Sequence, residues 1–163
     1  MRLRKMSAEE FERFREFSIA DYGREIAEAG RMLAQAALKQ AQDEFDGQLT
    51  KGVDTPGHFV MVIESSEEAM GFVWYQFGTA RSGRKYAFLC DFYVMEIHRR
   101  KGVAAKALSL LERDAIKNGC TEVRLFVWAH NAAANALYRR CGYLPAKQED
   151  DGMFMRKTLK MEE

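Results

Sequence analysis

The sequence has little cysteine and little proline, with three cysteines and two prolines among its 163 residues. Cys90, Cys120 and Cys141 are widely spaced and form no C-x-x-C pair. This spacing argues against a disulfide scaffold or a zinc site, so we expect no metal and predict reduced thiols in a cytoplasmic protein. No proline-rich linker, low-complexity tract or internal repeat divides the chain. Together these absences predict a single domain over residues 1–163.

An excess of charge of one sign is also lacking, because 25 Lys and Arg against 24 Asp and Glu leave a net charge of +1. Nucleic-acid-binding proteins usually carry a basic excess or stripe, so no nucleic-acid partner is expected. No apolar run follows the basic start, as a secretory signal requires, and none approaches the roughly 20 residues of a membrane span. We therefore expect no membrane partner either.

The sequence near the N-terminus predicts a helix. Ser7 and Glu10 have the spacing of a capping box, which predicts a helix that ends near Phe17. Leu3 and Met6 before it are compatible with a short first strand.

The following segment, from Ile19 to Leu49, also has helical periodicity. Gly23 and Gly30 interrupt it, so the pattern fits either one helix or two. The apolar residues at helical spacing predict one buried face, formed by Ile26, Leu33, Ala37, Ala41 and Phe45.

The pattern changes after the turn signal at Thr55–Gly57. Short apolar, aromatic and β-branched runs at Phe59–Ile63, Gly71–Phe77 and Tyr86–Val94 are separated by turn residues. Three such runs predict an antiparallel meander of strands.

From Gly102 the pattern alternates between helices and strands. A helix from Gly102, with Ala104, Leu108, Leu111 and Ala115 on one face, stops at Asn118-Gly119. Val123–Trp128 is apolar at nearly every position, which predicts a strand covered on both faces. A helix from about Asn131 to Gly142 and a last strand at Met153–Leu159 follow. The order of elements predicts an α/β layered fold with a mixed sheet.

One stretch has the character of an anion site, Tyr93 to Gly102, with the sequence Y-V-M-E-I-H-R-R-K-G. A strand ends, a basic loop follows, and Gly102 opens a helix whose first amides have no intrahelical partner. The helix dipole and the side chains of Arg99–Lys101 add positive charge there, which suits a pyrophosphate. The alternative is a solvated basic loop before an ordinary helix. The glycine patterns of nucleoside triphosphate and dinucleotide sites are absent from the sequence.

A second stretch offers a shelf for a slender ligand. Asn131 and Tyr138 are seven positions apart, about two helical turns, so they lie on nearly the same face of a helix. Ala134 between them keeps that face shallow. The alternative is that Asn131 is a helix N-cap and Tyr138 a core aromatic residue.

Taken together, the two stretches resemble the acetyl-CoA signature of the GNAT superfamily of N-acetyltransferases. Arg99-Arg100-Lys101-Gly102-Val103-Ala104 is similar to its (Q/R)-x-x-G-x-(G/A) motif, with Ala104 in place of the commoner glycine. Asn131 to Tyr143 resembles its N-x-x-A-x-x-L-Y-x-x-x-G-(F/Y) stretch. The resemblance covers Tyr86–Tyr143 well, whereas Ile19–Leu49 matches only in being helical. It implies the GNAT fold, a mixed central β-sheet of about six to seven strands flanked by about four helices.

The resemblance also implies roles for individual residues. The strand ending at Tyr93-Val94 is expected to splay from its neighbour, so that Val94 and Glu96 pair with the pantetheine arm of acetyl-CoA. Asn131 is expected to bond the pantetheine, and Tyr138 to protonate the departing thiolate. The pyrophosphate is expected to bind a loop formed by Arg99, Arg100, Lys101, Gly102, Val103 and Ala104.

Direct attack of an amine on the thioester passes through a tetrahedral oxyanion, which a backbone N–H such as that of Val94 can stabilise. The amine must also lose a proton, and Asp91 and Glu96 are the nearest acidic candidates for the base. For each carboxylate a structural or solvated role is the stronger alternative. Cys141 as a nucleophile is less favoured than Cys141 as a buried hydrophobe.

The implied reaction is transfer of an acetyl group from acetyl-CoA to a primary amine of a small molecule or a protein. A non-catalytic acyl-CoA-binding regulatory domain and a nucleic-acid-binding module are the alternatives, and a homodimer is expected from the superfamily. The mild acidity of Ile19–Leu49, with Arg24, Arg31 and Lys39 as its basic residues, hints at a cationic acceptor. A solvated helical face explains the same charges and is preferred.

Overall fold

The computed structural model describes residues 1–30 and 32–161, so Arg31 and the last two residues lie outside the described part. Contacts divide the chain into two compact units. One unit is Met6–His58, and the other joins Met1–Lys5 to the chain from Phe59 onward. The single domain over residues 1–163 stays a prediction.

The unit Met6–His58 is a pair of helices, α1 (Ala8–Glu28) and α2 (Ala34–Gln48), followed by a 3-10 turn at Gly52–Asp54. The capping box at the start of α1 is confirmed. The backbone N–H of Glu10 donates to Ser7 Oγ at 3.1 Å, and the N–H of Ser7 donates to Glu10 Oε1 at 2.9 Å.

Two details of this helical unit were predicted wrongly. The first helix does not end near Phe17 but continues to Glu28. It does not break at Gly23 either, because that glycine lets α1 lie close to α2: a Cβ there would lie 3.2 Å from Leu38 Cα. The break comes at Gly30, whose φ of +75° suits glycine. Leu33 was expected on the buried face but is 84% exposed, since it is the N-cap of α2 rather than part of its apolar stripe.

Several acidic side chains of this unit form ion pairs with Arg or Lys at the surface. Arg15 donates to both carboxylate oxygens of Asp46 at 2.9 and 2.7 Å, and Lys39 donates to Asp43 at 3.1 Å. The guanidinium of Arg15 lowers the pKa of the Asp46 carboxyl. These pairs support the interpretation of a solvated helical face.

The second unit is built around one seven-stranded sheet. Its strands are β1 (Arg2–Lys5), β2 (His58–Ser65), β3 (Glu68–Thr79), β4 (Lys85–Val94), β5 (Cys120–Trp128), β6 (Leu144–Gln148) and β7 (Gly152–Thr158). They lie in the order β1-β2-β3-β4-β5-β7-β6. The pair β4–β5 is parallel, whereas β1–β2, β3–β4, β5–β7 and β6–β7 are antiparallel. Helix α3 (Val103–Lys117) connects β4 to β5, and α4 (Ala132–Arg140) connects β5 to β6. The predicted α/β fold with a mixed sheet and four helices is confirmed.

Strand β6 was not predicted because its sequence lacks a strand signal. All five of its residues are exposed, and Pro145 cannot donate to a ladder. The strand forms because it pairs with β7 at the edge of the sheet, where a proline is tolerated.

The sheet has two chemically different faces. The core lies between the sheet and α3, where side chains such as Val73, Tyr75 and Leu125 pack with Leu108 and Leu111. We call this side the helix face and the other side the reverse face. Strands β5 and β7 alternate between them: positions such as Val123 and Val127 are buried on the helix face, while Arg124, Phe126 and Trp128 on the reverse face are only half-buried. Strand β5, which was expected to be covered on both faces, is thus buried on the helix face and only partly covered on the reverse face.

Among the described residues, no helix combines the length and the apolar character needed to cross a bilayer.

Candidate active site

The two central parallel strands separate at their C-terminal ends. Their ladder runs only as far as Leu89 and Leu125, although β4 continues to Val94 and β5 to Trp128. A β-bulge lies where they part: Trp74 pairs with Asp91 and Tyr75 with Leu89, so Cys90 is the extra residue. Since a bulge bends its strand and increases its twist, it accounts for the separation. We call the resulting gap the window.

Backbone groups of β4 face this window. The N–H of Met95 donates to Met70 O at 2.9 Å, so in the alternating antiparallel pattern the N–H and C=O of Val94 point away from β3, toward β5. The N–H of Phe92 has the same direction and donates to Asp91 Oδ1 at 2.9 Å. Here a side chain supplies the acceptor that a neighbouring strand would otherwise provide. The N–H of Val94 is thus directed into the window.

A loop with left-handed residues connects β4 to α3. A 3-10 turn at Glu96–His98 is anchored by His98, whose buried ring lies 3.2 Å from Glu68 Oε1. Arg100 has a φ of +61°, and Gly102 has φ +78° and ψ 7°, immediately before the helical residue Val103. A left-handed residue followed by right-handed ones turns successive N–H groups toward one point, which forms an anion-binding nest.

The nest fits a pyrophosphate. A Cβ built on Gly102 would meet no atom within 4 Å, so the space in front of the loop is open to a ligand. The first N–H groups of α3, those of Val103 and Ala104, point from the helix N-terminus toward that space. Arg100 and Lys101 are exposed beside it and add positive charge.

Arg99 occupies a different place from its two basic neighbours. Its Nε donates to Val94 O at 2.8 Å, and its guanidinium lies 5.1 Å from the ring centroid of Tyr93. The side chain is thus folded back onto the end of β4, at the edge of the window. Of the predicted site residues, Arg99 and Val94 are therefore in direct contact.

Asn131 is the N-cap of α4, as the alternative interpretation predicted. Its Oδ1 accepts from the N–H of Ala134 at 3.1 Å, and its Nδ2 makes no hydrogen bond within residues 1–30 and 32–161, so that donor is available to a ligand. Asn135 was missed in the sequence, although it ties this helix to the strand. Its Nδ2 donates to Trp128 O at 3.1 Å and to Asn131 O at 2.8 Å. No sequence pattern distinguishes it from a surface asparagine.

Tyr138 is buried on the helix face, with 8% of its surface exposed. Burial raises the pKa of its phenol, and the negative charge of Asp91 raises it further. Asp91 pairs with Trp74. The chain neighbours of that tryptophan, Val73 and Tyr75, lie in the core on the helix face, so Asp91 is directed to the reverse face. Its carboxylate therefore acts on the Tyr138 phenol across the window, electrostatically and without a hydrogen bond between the two side chains in the described part of the chain. Glu96 lies apart from them, exposed in the 3-10 turn.

The thiols are poor candidates for a nucleophile. All three cysteines are free, and burial raises the pKa of each, including that of Cys141. A raised pKa disfavours the thiolate, which is the nucleophilic form.

A support for β4 was also missed in the sequence. A Cβ built on Gly71 would lie 2.1 Å from Tyr93 O and 2.9 Å from Val94 Cα, so only glycine allows this close approach of β3 to β4. The signal was present, since a glycine inside a strand pattern often marks a close backbone approach.

In this α/β protein the parallel strands β4 and β5 separate, and helix α3 begins at the anion-binding nest that follows β4. The arrangement suits an elongated ligand that carries phosphate groups. The model of the Acetyltransferase (GNAT) family matches residues 28–143. The chain belongs to the GNAT family, which supports acyl transfer as its class of reaction.

Two proteins of Bacillus subtilis strain 168 that are named as uncharacterized N-acetyltransferases, YdgE and YycN, are similar to this chain. YdgE is 30% identical over 86% of this chain and 90% of its own length, and YycN is 30% identical over 95% and 97%. The crystal structure of YycN superposes with a TM-score of 0.82 at 27% identity, covering 90% of this chain and 94% of that one. PaiA N-acetyltransferase from Thermoplasma acidophilum, in complex with coenzyme A, shares the fold with a TM-score of 0.70 at 17% identity over 96% of this chain and 97% of that one.

Proposed function

We propose that this protein transfers an acetyl group from acetyl-CoA to a primary amine of a small molecule or a protein. The observation that carries the proposal is the window: the N–H of Val94 is directed into it, the carboxylate of Asp91 acts electrostatically on the buried phenol of Tyr138, and the loop that follows Val94 leads to the nest at Gly102. The coenzyme A in the PaiA structure supports the choice of donor.

The geometry supports the following cofactor-binding roles. Acetyl-CoA supplies an acetyl group activated as a thioester. The N–H groups of Val103 and Ala104, with the charges of Arg100 and Lys101, would hold its pyrophosphate. The Nδ2 of Asn131 and the carbonyl oxygen of Val94, which keeps one lone pair beside its bond from Arg99, would bond the pantetheine arm. Arg99 adds a further cation at the edge of the window.

In the chemical step the amine nitrogen forms a bond to the acetyl carbon and the carbon–sulfur bond breaks. The N–H of Val94 faces the negative charge that develops on the acetyl oxygen. Tyr138, which its raised pKa keeps protonated, gives its proton to the departing sulfur. The proton released by the amine passes to Asp91, directly or through water. Glu96 is the second candidate base, acting from the exposed turn through a longer water chain.

Thermal unfolding in the presence of acetyl-CoA, CoA and ATP tests donor binding first. A ligand at about a hundred times its dissociation constant stabilises the folded state by about 2.7 kcal/mol, which shifts the midpoint by several degrees. We expect both CoA species to shift it and ATP to leave it unchanged. No shift with either CoA species at millimolar concentration would contradict the proposal.

Thiol release from acetyl-CoA with a panel of amines tests catalysis. Release that depends on both protein and amine is the expected result. A CoA-dependent thermal shift with no release for any amine would favour the alternative of a non-catalytic acyl-CoA-binding regulatory domain. The cytoplasmic location, the homodimer and the absence of a nucleic-acid or membrane partner stay predictions from the sequence.

A further inference from the structure

A second concave site lies on the reverse face, beneath the window. Strands β4, β5, β7 and β6 together form a pocket of about 310 Å³. This volume is at the lower end of the range of small-molecule sites, about 300–1,000 Å³. The pocket is lined by Tyr86, Phe88, Arg124, Ala146, Phe154, Met155 and Arg156. The site combines aromatic side chains with two guanidinium groups.

The two arginines differ in whether their charge is paired. Arg124 donates through Nε to Glu122 Oε1 at 2.8 Å, and its guanidinium lies 4.1 Å from the ring centroid of Tyr86, so its charge is largely compensated. Arg156 is exposed and makes no hydrogen bond or ion pair with any residue in 1–30 or 32–161. The pocket therefore offers one uncompensated guanidinium, which pairs best with a carboxylate in bidentate geometry.

An aromatic strip connects this pocket to the window. Phe154, in the pocket, lies edge-on to Phe126 at 5.1 Å between ring centroids, and Phe126 lies edge-on to Trp128 at the same distance. On β4, Phe88 in the pocket precedes Asp91 at the window by three residues, of which Cys90 is the bulged one. The two are therefore separated by about 7–10 Å along the strand, at 3.3 Å per residue. A ligand that extends along the strip can therefore reach both places.

We propose that the pocket binds the carboxylate end of the amine acceptor. Arg156 lies two strands from Phe88, through Arg124, so its Cα is about 12–14 Å from that of Asp91, and its long side chain shortens the distance that a ligand must span. The acceptor would be an amine joined to a carboxylate that carries an apolar side chain, with the length of an extended tripeptide, about 10 Å. Its carboxylate pairs with Arg156, its apolar side chain packs on Phe88 and Phe154, and its amine reaches Asp91. The assignment to the acceptor rests on the proposed function, whereas the binding of such a ligand can be measured without turnover.

The experiment compares the peptide Ala-Ala-Phe as the free acid with its C-terminal amide, by calorimetric titration of the whole chain. Wild type, Arg156→Gln and Arg113→Gln are used, the last being an exposed arginine of α3 with no part in the pocket. We expect wild type and Arg113→Gln to bind the acid at least about tenfold tighter than the amide. Arg156→Gln removes that difference, and its unchanged melting temperature shows that the fold is intact.

Equal affinity for acid and amide, no binding at millimolar peptide, or preference for the acid that survives in Arg156→Gln would each overturn the proposal. Thiol release from acetyl-CoA with the acid peptide, reduced in Arg156→Gln through KM rather than kcat, would confirm the acceptor as the occupant. Binding that depends on Arg156 but does not compete with an active amine would overturn the assignment to the acceptor. A failure of the proposed function is recognised separately, by the absence of a thermal shift with either CoA species.

Discussion

The ring of Tyr138 lies edge-to-face against that of Tyr143, with centroids 5.8 Å apart, and the N–H of Tyr143 donates to Tyr138 O at 2.9 Å. Tyr143 is fixed in turn, because its hydroxyl donates to Glu112 Oε1 at 3.1 Å and Lys157 Nζ lies 3.0 Å from the other oxygen of that carboxylate. A chain of contacts from β7 through α3 thus holds the phenol of Tyr138 at the window. The hydroxyl of Tyr138 itself makes no hydrogen bond with the described residues.

Because the Tyr143 hydroxyl is hydrogen-bonded and the Tyr138 hydroxyl is not, replacing each tyrosine by phenylalanine is expected to affect a different property. Tyr138→Phe is expected to lower kcat at least about tenfold, because the departing thiolate loses its acid, while stability and acetyl-CoA affinity stay unchanged. Tyr143→Phe is expected to lower stability by about 1 kcal/mol, because it removes the hydrogen bond to Glu112, and to affect kcat much less. Steady-state kinetics and urea unfolding of both variants test this. A Tyr138→Phe enzyme with wild-type kcat would exclude Tyr138 as the acid.

The nest at Gly102 predicts a difference between two isosteric substitutions. Asn and Asp both place a side chain at a left-handed position, at a similar cost of about 1 kcal/mol in folding stability. Only Asp brings a negative charge to the pyrophosphate site, so Gly102→Asp is expected to bind CoA at least about tenfold more weakly than Gly102→Asn. Calorimetric titration with CoA measures both affinities. Equal affinity of the two variants would place the pyrophosphate elsewhere.

The close approach of β3 to β4 predicts that Gly71 tolerates no side chain. Gly71→Ala forces a methyl group against the Tyr93 carbonyl, so we expect a loss of about 1–3 kcal/mol in stability and weaker CoA binding, because the end of β4 must shift. Gly47→Ala is the control, since nothing lies within 4 Å of its Cβ position in α2. That change is expected to stabilise the protein by about 0.5–1 kcal/mol. Thermal or urea unfolding that ranks the two variants in the other order would contradict this account of Gly71.

The raised pKa of Tyr138 predicts the alkaline limb of the pH–rate profile. A phenol whose pKa is raised stays protonated to a higher pH than an ordinary tyrosine, whose pKa is about 10. We therefore expect kcat to rise as the amine loses its proton and then to hold its plateau through about pH 10. Asp91→Asn is expected to lower kcat, because it removes the proposed base, but to leave the plateau extending through about pH 10, because burial is the larger cause of the raised pKa of Tyr138. A fall in kcat with a midpoint near pH 10, after correction for thioester hydrolysis without enzyme, would show that Tyr138 titrates normally.

Local signals in the sequence were sufficient for much of the fold. The spacing of Ser7 and Glu10 marked the start of α1, and the glycine after the basic loop marked the start of α3. Such features depend on neighbours a few residues away, so they can be recognised without the rest of the molecule. Strand β6 could not be recognised in this way, because only pairing with β7 makes an exposed segment that contains Pro145 a strand.

The features of the candidate site also fall into those that local sequence predicts and those that depend on the tertiary structure. The sequence by itself determined the family, the positions of the nest and of the Asn131–Tyr138 helix, and the residue types available for acyl transfer, because these are carried by short contiguous motifs. Only the tertiary structure decided that β4 and β5 part after Leu89, that Arg99 folds back onto Val94, and that the charge of Asp91 acts on the phenol of Tyr138. These relationships join residues far apart in the chain through a bulge, a strand register and the packing of a helix on a sheet. No short stretch of sequence contains that information.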